Sequence, residues 1–380
     1  MLLCLGCVTS AGRAAENTLT PAELAEGWIL LFDGETTYGW QAQSEADWKV
    51  ADGAIAVSSG AKGLLTTTTA FADYVLKVDF RAAQGTNSGI FLRTPAKPTN
   101  PAEDCYELNI APADNPYPTG SLVARQKGET VAESDGWRSF VVTVNGARIQ
   151  VELDGQQVLD YSDEKPIGRG LIGLQLNQGA VEFRNIKLKP LGLASLFNGK
   201  DLSGWDASKP GASTFSVNTE GELHVVNGKG QLETEGRFGD FVFQAECFCN
   251  GKELNSGFFF RCIPGDEQMG YESQIHNGTI DGDVNRPNNC GTGGIFRRQD
   301  ARKVMAKDFE WFSKTIIADG PHMAVWVNGV QVSDWIDTRE PHENPRKGLR
   351  LEAGTIMIQG HDPTTDLRFR NLRAGEMAGR

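Results

Sequence analysis

Hydrophobic and polar positions alternate with a period of two over much of the chain, the pattern of strands with one buried face. Stretches rich in β-branched and aromatic residues cover residues 71–81, 140–153, 238–248 and 323–327. Dipeptides typical of tight hairpin turns punctuate the pattern at Asn145-Gly146, Asp154-Gly155 and Asn328-Gly329. The pattern predicts many short antiparallel strands and therefore an all-β sandwich fold.

A single short helix is predicted ahead of the strands. Thr20 is a suitable N-cap, Pro21 fits the first helical position, and Glu23 completes a capping box. Gly27 is expected to end the helix. Residues 16–27 are thus predicted to form a helix and a linker.

The chain contains an internal repeat, because a set of motifs recurs in the same order. The matched pairs are Leu31-Phe32-Asp33-Gly34 with Leu196-Phe197-Asn198-Gly199, Asn87-Ser88-Gly89 with Asn255-Ser256-Gly257, Tyr106-Glu107 with Tyr271-Glu272, Thr119-Gly120 with Thr292-Gly293, and Phe183-Arg184-Asn185 with Phe369-Arg370-Asn371. We predict two tandem domains, at residues 28–190 and 194–374. The second copy is longer, with insertions at 277–291 and about 337–354, and long loops on a rigid scaffold often carry function.

Composition and charge narrow the functional classes. The chain has 380 residues and a formal net charge of −12, which argues against nucleic acid as a partner. Residues 1–15 combine a short apolar stretch with small residues, as in a secretory signal, so a secreted or periplasmic protein is expected. No apolar run approaches the length of a membrane span.

Cysteine usage leaves two alternatives open. Five cysteines follow residue 15, an odd number in a chain long enough to fold without disulfides. One bridge such as Cys262–Cys290 and a set of buried free thiols are both compatible with the sequence.

Glu272, Gln274 and His276 alternate along one predicted strand and therefore share one face of it. Such a polar stripe is either a solvated face or a functional site. The first copy keeps a carboxylate, Glu107, but has Ala111 in place of His276. Acidic, imidazole and guanidinium groups around one cleft suit acid–base catalysis, so we favour a functional site in the second copy.

Other candidate residues extend this site. His361 stands where the first copy has Asn177, and Gln359 precedes it on the same predicted strand. Trp311 is either a sugar-stacking platform or an ordinary core residue. The remaining candidates for substrate binding are arginines, namely Arg261, Arg297 and Arg298.

A metal site has weak support in the sequence. Asp281 and Asp283 have spacing like that of a calcium loop, but Arg286 stands where such a loop has glycine, so a polar turn is favoured. No cofactor is implied with certainty. A divalent cation held by Glu272 and His276 is an alternative to arginine as the positive charge that stabilises a negatively charged reaction intermediate.

Several motifs together resemble the 3-keto-disaccharide hydrolase domain family. They are Leu31-Phe32-Asp33-Gly34 with Gly39-Trp40, Ser256-Gly257 with Arg261, Tyr271-Glu272-x-Gln274, Thr292-Gly293-Gly294-Ile295 and Phe369-Arg370-Asn371-Leu372. The resemblance covers nearly the whole chain after residue 27, twice. It implies a concanavalin A-like jelly roll, export, and cleavage of oligosaccharides or glycosides already oxidised at C3.

The implied reaction begins with removal of the acidified C2 proton, continues with loss of the C1 substituent and ends with addition of water. We assign His276 as the base, with Glu272 orienting it or acting as the acid. Arg261 and Arg298 would stabilise the enolate, and His361 is the alternative acid or base. A non-catalytic, lectin-like carbohydrate-binding protein is the alternative function, because this fold serves many lectins. The first copy is expected to support the second, for instance by walling one shared cleft.

Overall fold

The computed structural model describes residues 16–132, 134–209 and 211–379. The predicted signal segment, residues 1–15, lies outside the described residues. Helix α1 (Pro21–Glu26) is confirmed, with Thr20 as N-cap, a complete capping box with Glu23, and Gly27 as left-handed C-cap. Among the described residues, no helix is long and apolar enough to span a membrane.

The first copy consists of thirteen strands and one short helix, α2 (Pro101–Asp104). The strands are β1 (Ile29–Leu30), β2 (Trp40–Ala42), β3 (Lys49–Ala51), β4 (Ala54–Val57), β5 (Gly63–Thr67), β6 (Tyr74–Ala82), β7 (Ser88–Thr94), β8 (Tyr106–Ile110), β9 (Arg138–Asn145), β10 (Arg148–Leu153), β11 (Gln156–Ser162), β12 (Leu171–Leu176) and β13 (Val181–Pro190).

The second copy repeats this arrangement and adds a two-stranded ribbon, β22–β23, in its first insertion. Its strands are β14 (Ala194–Ser195), β15 (Trp205–Asp206), β16 (Thr214–Val217), β17 (Leu223–Val226), β18 (Gly230–Thr234), β19 (Phe241–Cys249), β20 (Ser256–Cys262), β21 (Tyr271–Ile275), β22 (Thr279–Ile280), β23 (Asp283–Pro287), β24 (Trp311–Asp319), β25 (His322–Val327), β26 (Val330–Ile336), β27 (Thr355–Gly360) and β28 (Asp366–Glu376).

Each copy is a sandwich of an eight-stranded and a five-stranded antiparallel sheet, as the alternating pattern predicts. The five-stranded sheets have the orders β2-β5-β12-β7-β8 and β15-β18-β27-β20-β21, which are equivalent in the two copies. The core lies between the sheets, where Phe243 and Phe258 meet edge-on at 4.9 Å. Consequently, alternate residues of each five-stranded sheet face outward, and this outer face carries the predicted polar stripe.

The first copy packs against the outer face of the second copy's eight-stranded sheet. Trp326 donates its indole N–H to the carbonyl of Leu30 at 2.9 Å, and the amide of Gln244 donates to the carbonyl of Gly27 at 2.8 Å. An ion pair at 2.8 Å joins Arg302 to Asp33. The contacts of Trp326 and Gln244 lie on the sheet opposite the polar stripe, so they do not build a shared cleft at the stripe.

The cysteines of the described region are free thiols. Cys105, Cys247, Cys249 and Cys262 are buried, and Cys290 is half-buried. Of the two alternatives left by the sequence, the structure therefore has unbridged cysteines.

A lysine occupies the core of the second copy. Lys314, on β24, is 0% exposed, and its Nζ donates to the carbonyls of Ser273 and Gln274, each at 2.7 Å. Counting back from the hairpin turns at Asp154 and Asn328, the equivalent residue in the first copy is Phe140. Burial lowers the pKa of Lys314 to about 7, since an ammonium group loses its hydration in the core.

The depressed pKa predicts a pH-dependent effect on stability. Above about pH 7 the folded state releases the Lys314 proton, whereas the unfolded state keeps it up to its ordinary pKa near 10.4, so stability rises with pH in this window. The free energy of unfolding of the wild type should rise relative to Lys314→Met, by up to about 1.4 kcal/mol per pH unit. Urea unfolding at pH 6, 7.5 and 9 measures this difference.

Lys62→Met is the matched control, because Lys62 is exposed. Its stability should run parallel to that of the wild type across the same pH range. Parallel curves for Lys314→Met as well would contradict the assignment of a neutral lysine at high pH.

Candidate functional site

The polar stripe lies on the edge strand β21 and the residue after it. Tyr271 and Ile275 point into the core, while Glu272, Gln274 and His276 point outward. Their exposed fractions are only 6%, 1% and 7%, respectively. An ordinary solvated face would be far more exposed, so the stripe is the floor of a covered site.

The side chain of Glu272 lies across the neighbouring strand β20 at Gly257. A Cβ atom at Gly257 would lie 3.1 Å from both Cγ and Oε1 of Glu272, so glycine leaves room for the carboxyl group. Nη2 of Arg346 lies 3.4 Å from Oε2 of Glu272. Burial raises the pKa of Glu272, and the positive charge of Arg346 only partly opposes this effect.

Glu272 borders a cleft of about 200 Å³. Three arginines line it, since Arg297 and Arg298 face the same space as Arg346. Arg298 is held by a hydrogen bond from Nη2 to the carbonyl of Arg346 at 3.0 Å. The cleft therefore combines one buried carboxyl group with several guanidinium groups, which suits an oxygen that gains negative charge.

A chain of polar side chains connects Gln274 to His361. The amide of Gln274 donates to Oδ1 of Asn255 at 2.8 Å, and Nδ2 of Asn255 lies 3.2 Å from Nε2 of His361. Nδ1 of His361 lies 2.8 Å from Oδ2 of Asp362. A hydrogen bond to Thr364, together with His361, lowers the pKa of Asp362, so this carboxylate is ionised and orients the imidazole.

The same floor contains amide groups in which one atom has no hydrogen-bond partner among the described residues. Oε1 of Gln274, Oε1 of Gln359 and Nε2 of Gln268 are buried and have no hydrogen-bond partner within the described ranges. Gln268 belongs to the loop after β20 and accepts a hydrogen bond from Gln359 at 3.2 Å through its own Oε1. Buried polar atoms without partners carry a free-energy cost, so this site is suited to a ligand with many hydroxyl groups.

His276 lies at the other end of the stripe. Its Nδ1 accepts a hydrogen bond from the backbone N–H of Gly278 at 3.3 Å. A Cβ atom at Gly278 would lie 2.7 Å from the ring and 2.8 Å from the carboxylate of Glu253, so ring and carboxylate flank the same point. Burial lowers the pKa of His276 and favours the neutral imidazole.

Arg261 does not face this site. It is 0% exposed, and its guanidinium group donates to the carbonyls of Gly239, Gly320 and Arg350 and pairs with Asp240 at 2.9 Å. A break in strand register between Phe259 and Cys262 and a positive φ of 48° at Arg261 turn the side chain away. The arginine beside Glu272 is Arg346, which comes from the second insertion.

Trp311 is also separate from the site. It lies on β24 of the eight-stranded sheet, with Phe248 at 5.4 Å and the guanidinium group of Arg370 4.0 Å above its ring. Trp137 of the first copy stacks with Arg184 in the same way, at 3.9 Å. This repetition makes Trp311 a packing element of the sandwich rather than a wall of the cleft.

The weak metal candidates are not brought together. Asp281 pairs with Arg286 at 3.0 Å, and Asp283 accepts a hydrogen bond from the backbone of Asn285. In the part of the chain that the structure describes, no three histidine, cysteine or acidic side chains form a metal-binding group. Since arginines surround Glu272, the residues present do not fit a divalent cation.

Several residues of the site are not among those predicted from the sequence. Gly257 and Asn255 belong to a motif kept in both copies, and Asp362 follows a candidate histidine, so each left a signal in the sequence. Arg346 and Gln268 left none, because they come from loops whose path the strand pattern does not predict.

Comparison with known proteins identifies the repeat. The family model described as a 3-keto-alpha-glucoside-1,2-lyase-like domain matches residues 27–189 and again 192–374. No curated protein sequence matches.

Solved structures that are similar in fold cover about one copy each. A protein from Parabacteroides distasonis ATCC 8503, provisionally named a glycosyl hydrolase, is 23% identical over 47% of this chain and 100% of its own, with a TM-score of 0.43. The carbohydrate-binding module CBM66 from Bacillus subtilis is 15% identical over 39% of this chain and 94% of its own, with a TM-score of 0.32.

The family match covers most of the chain and connects the protein to carbohydrates. The chain therefore belongs to the family of 3-keto-alpha-glucoside-1,2-lyase-like domains, of which it carries two tandem copies.

Proposed function

We propose that the second copy cleaves glycosides that carry a ketone at C3, in an exported protein. The observation that carries this proposal is the oriented pair of His361 and Asp362 on the same sheet face as the buried carboxyl group of Glu272. A positioned base and a protonated acid are the two groups that the reaction needs. The unpaired amide oxygens of Gln274 and Gln359, on the same sheet face, are suited to the hydroxyl groups of a sugar.

His361 is better suited than His276 to be the base. Its side chain is 39% exposed. The carboxylate of Asp362 would accept a hydrogen bond from Nδ1–H of His361, which leaves the lone pair on Nε2 for the substrate. Asn255 contacts this nitrogen in the free protein, and the substrate would replace that contact. Nδ1 of His276 is already occupied by Gly278, so His276 would instead donate from Nε2 to a substrate hydroxyl.

The proton and electron flow then balances without a cofactor. Nε2 of His361 takes the C2 proton, and the C2–H electron pair forms an enolate whose negative oxygen is at C3. Arg346 and Arg298 would stabilise that oxygen. The enolate expels the oxygen at C1, which receives a proton from Glu272, and water then adds at C1 as C2 regains a proton.

Replacing His361 by the residue of the first copy tests the base. His361→Asn should lower kcat for a 3-keto-glucoside by about 10²- to 10⁴-fold, because general-base catalysis contributes that much. The measurement is release of the aglycone at pH 7, with the unoxidised glycoside as a substrate control.

His276→Ala is the matched variant, since it also installs the first copy's residue. It should mainly raise KM and lower kcat much less than His361→Asn. A larger loss of kcat in His276→Ala would return the role of base to His276. Binding without turnover in the wild type would favour the lectin-like alternative.

The role of Glu272 as acid predicts a dependence on the leaving group. Glu272→Gln should slow a 3-keto-glucoside with an alkyl aglycone by about 10²-fold or more, because an alkoxide needs the proton. A nitrophenyl aglycone leaves without that help and should be slowed far less. Equal losses for both aglycones would contradict the assignment.

The pH profile tests the electrostatics of the cleft. Activity should fall as pH rises through the raised pKa of Glu272, because the acid loses its proton. Arg346 lowers that pKa, so Arg346→Met should move the alkaline limb of kcat/KM to higher pH and also lower the rate. Arg148→Met, in an exposed ion pair with Asp160 on the first copy, is the control that should leave the limb in place. A limb that stays in place in Arg346→Met would contradict this account.

A further inference from the structure

The first copy keeps a cavity on the outer face of its own five-stranded sheet. The cavity has a volume of about 360 Å³, and its lining includes Leu64, Phe91, Gln175 and Asn177. Gln175 pairs with Leu64 across β12 and β5, as Gln359 pairs with Gln231 in the second copy. The cavity thus adjoins the residues that correspond to the proposed catalytic site.

The carboxyl and amide groups of that site are retained. Glu107 lies opposite Phe91, as Glu272 lies opposite Phe259, and a Cβ atom at Gly89 would lie 3.3 Å from its Cγ. Glu107 is 8% exposed, and burial raises the pKa of its carboxyl group while the side chain of Gln175 partly opposes this rise.

An unpaired atom marks the retained site. Oε1 of Gln175 is buried and has no hydrogen-bond partner in the described ranges, as is also true of Oε1 of Gln359. The same unmet acceptor therefore occurs at the same register position in both copies. A hydroxyl donor from a ligand would satisfy it in each case.

The proposed base and the arginine beside the carboxyl group in the second copy are missing from the first. Nδ2 of Asn177 donates to Oδ1 of Asn87 at 3.0 Å, which reproduces the contact between His361 and Asn255 with an amide in place of the imidazole. An amide does not accept a proton near neutral pH. Arg346 has no counterpart, because the second insertion is absent from the first copy.

We propose that the cavity of the first copy binds a saccharide and does not cleave it. Gln175 and Asn177 would contact hydroxyl groups, and Leu64 and Phe91 would contribute the apolar part of the cavity to a C–H face of the ring. The inference rests on the proposed function for the class of ligand. Independently of that function, the inference is supported by the retained amide of Gln175 and by Asn177 in place of the proposed base.

Calorimetric titration of the full chain with maltose and with cellobiose tests the inference. Maltose and cellobiose carry no ketone at C3, so the second copy should not turn them over, and the background is the wild type. Adding Gln175→Ala should remove binding at one site or weaken it at least tenfold, whereas adding Gln359→Ala should leave that site intact. The single variant Gln175→Ala should keep wild-type turnover of a 3-keto-glucoside.

Identical titrations with and without Gln175→Ala, or no binding of either sugar, would overturn the inference. Thermal melting checks that each variant is folded, and Asn177→Ala is the second variant if Gln175→Ala is not. Loss of binding in Gln175→Ala, in a chain whose wild type fails to cleave 3-keto-glucosides, would reject the proposed function and support this inference.

Discussion

The proposed site depends on one steric feature, a glycine on the strand beside the carboxyl group of Glu272. Gly257 lets Glu272 lie flat across the sheet, and any larger residue would place a carbon 3.1 Å from its carboxyl group. Lying flat keeps the group out of water, and burial is the main reason that its pKa is raised. A carboxyl group that stood upright in solvent would ionise in the ordinary range, whereas the raised pKa of Glu272 lets it keep its proton to higher pH. Gly89 makes the same allowance for Glu107, so the first copy has inherited this geometry.

The two copies share a scaffold and differ in what the scaffold holds. The second copy has a histidine at position 361, and its second insertion brings an arginine to the carboxyl group. The first copy has an amide at the equivalent position and lacks that insertion. It also packs on the sheet of the second copy that faces away from the site, as the contact between Trp326 and Leu30 shows. Each five-stranded sheet can therefore contact its own ligand, which permits binding in one copy and chemistry in the other.

Much of the fold could be predicted from the sequence, because the alternation of hydrophobic and polar residues and the turn dipeptides are local signals. The internal repeat could also be recognised from its ordered motifs. The N-terminal helix followed from three residues around Thr20. The site was harder, since side-chain direction depends on strand register. Arg261 was expected to contact substrate, yet a register break turns it onto backbone carbonyls. Arg93 does the same in the first copy, donating to Ala72 and Gly146. A residue kept in both copies, only one of which is expected to be active, indicates a structural role.

The central claim is that the second copy breaks the C2–H bond of a 3-keto-glycoside. The most direct test compares turnover of a 3-keto-glucoside carrying hydrogen at C2 with one carrying deuterium there, in the wild type and in His361→Asn. The wild type should show a primary isotope effect on kcat/KM and should exchange the C2 hydrogen with solvent, and His361→Asn should lose this exchange. Aglycone release without an isotope effect, with C2 deuterium fully retained in the product, would contradict the claim.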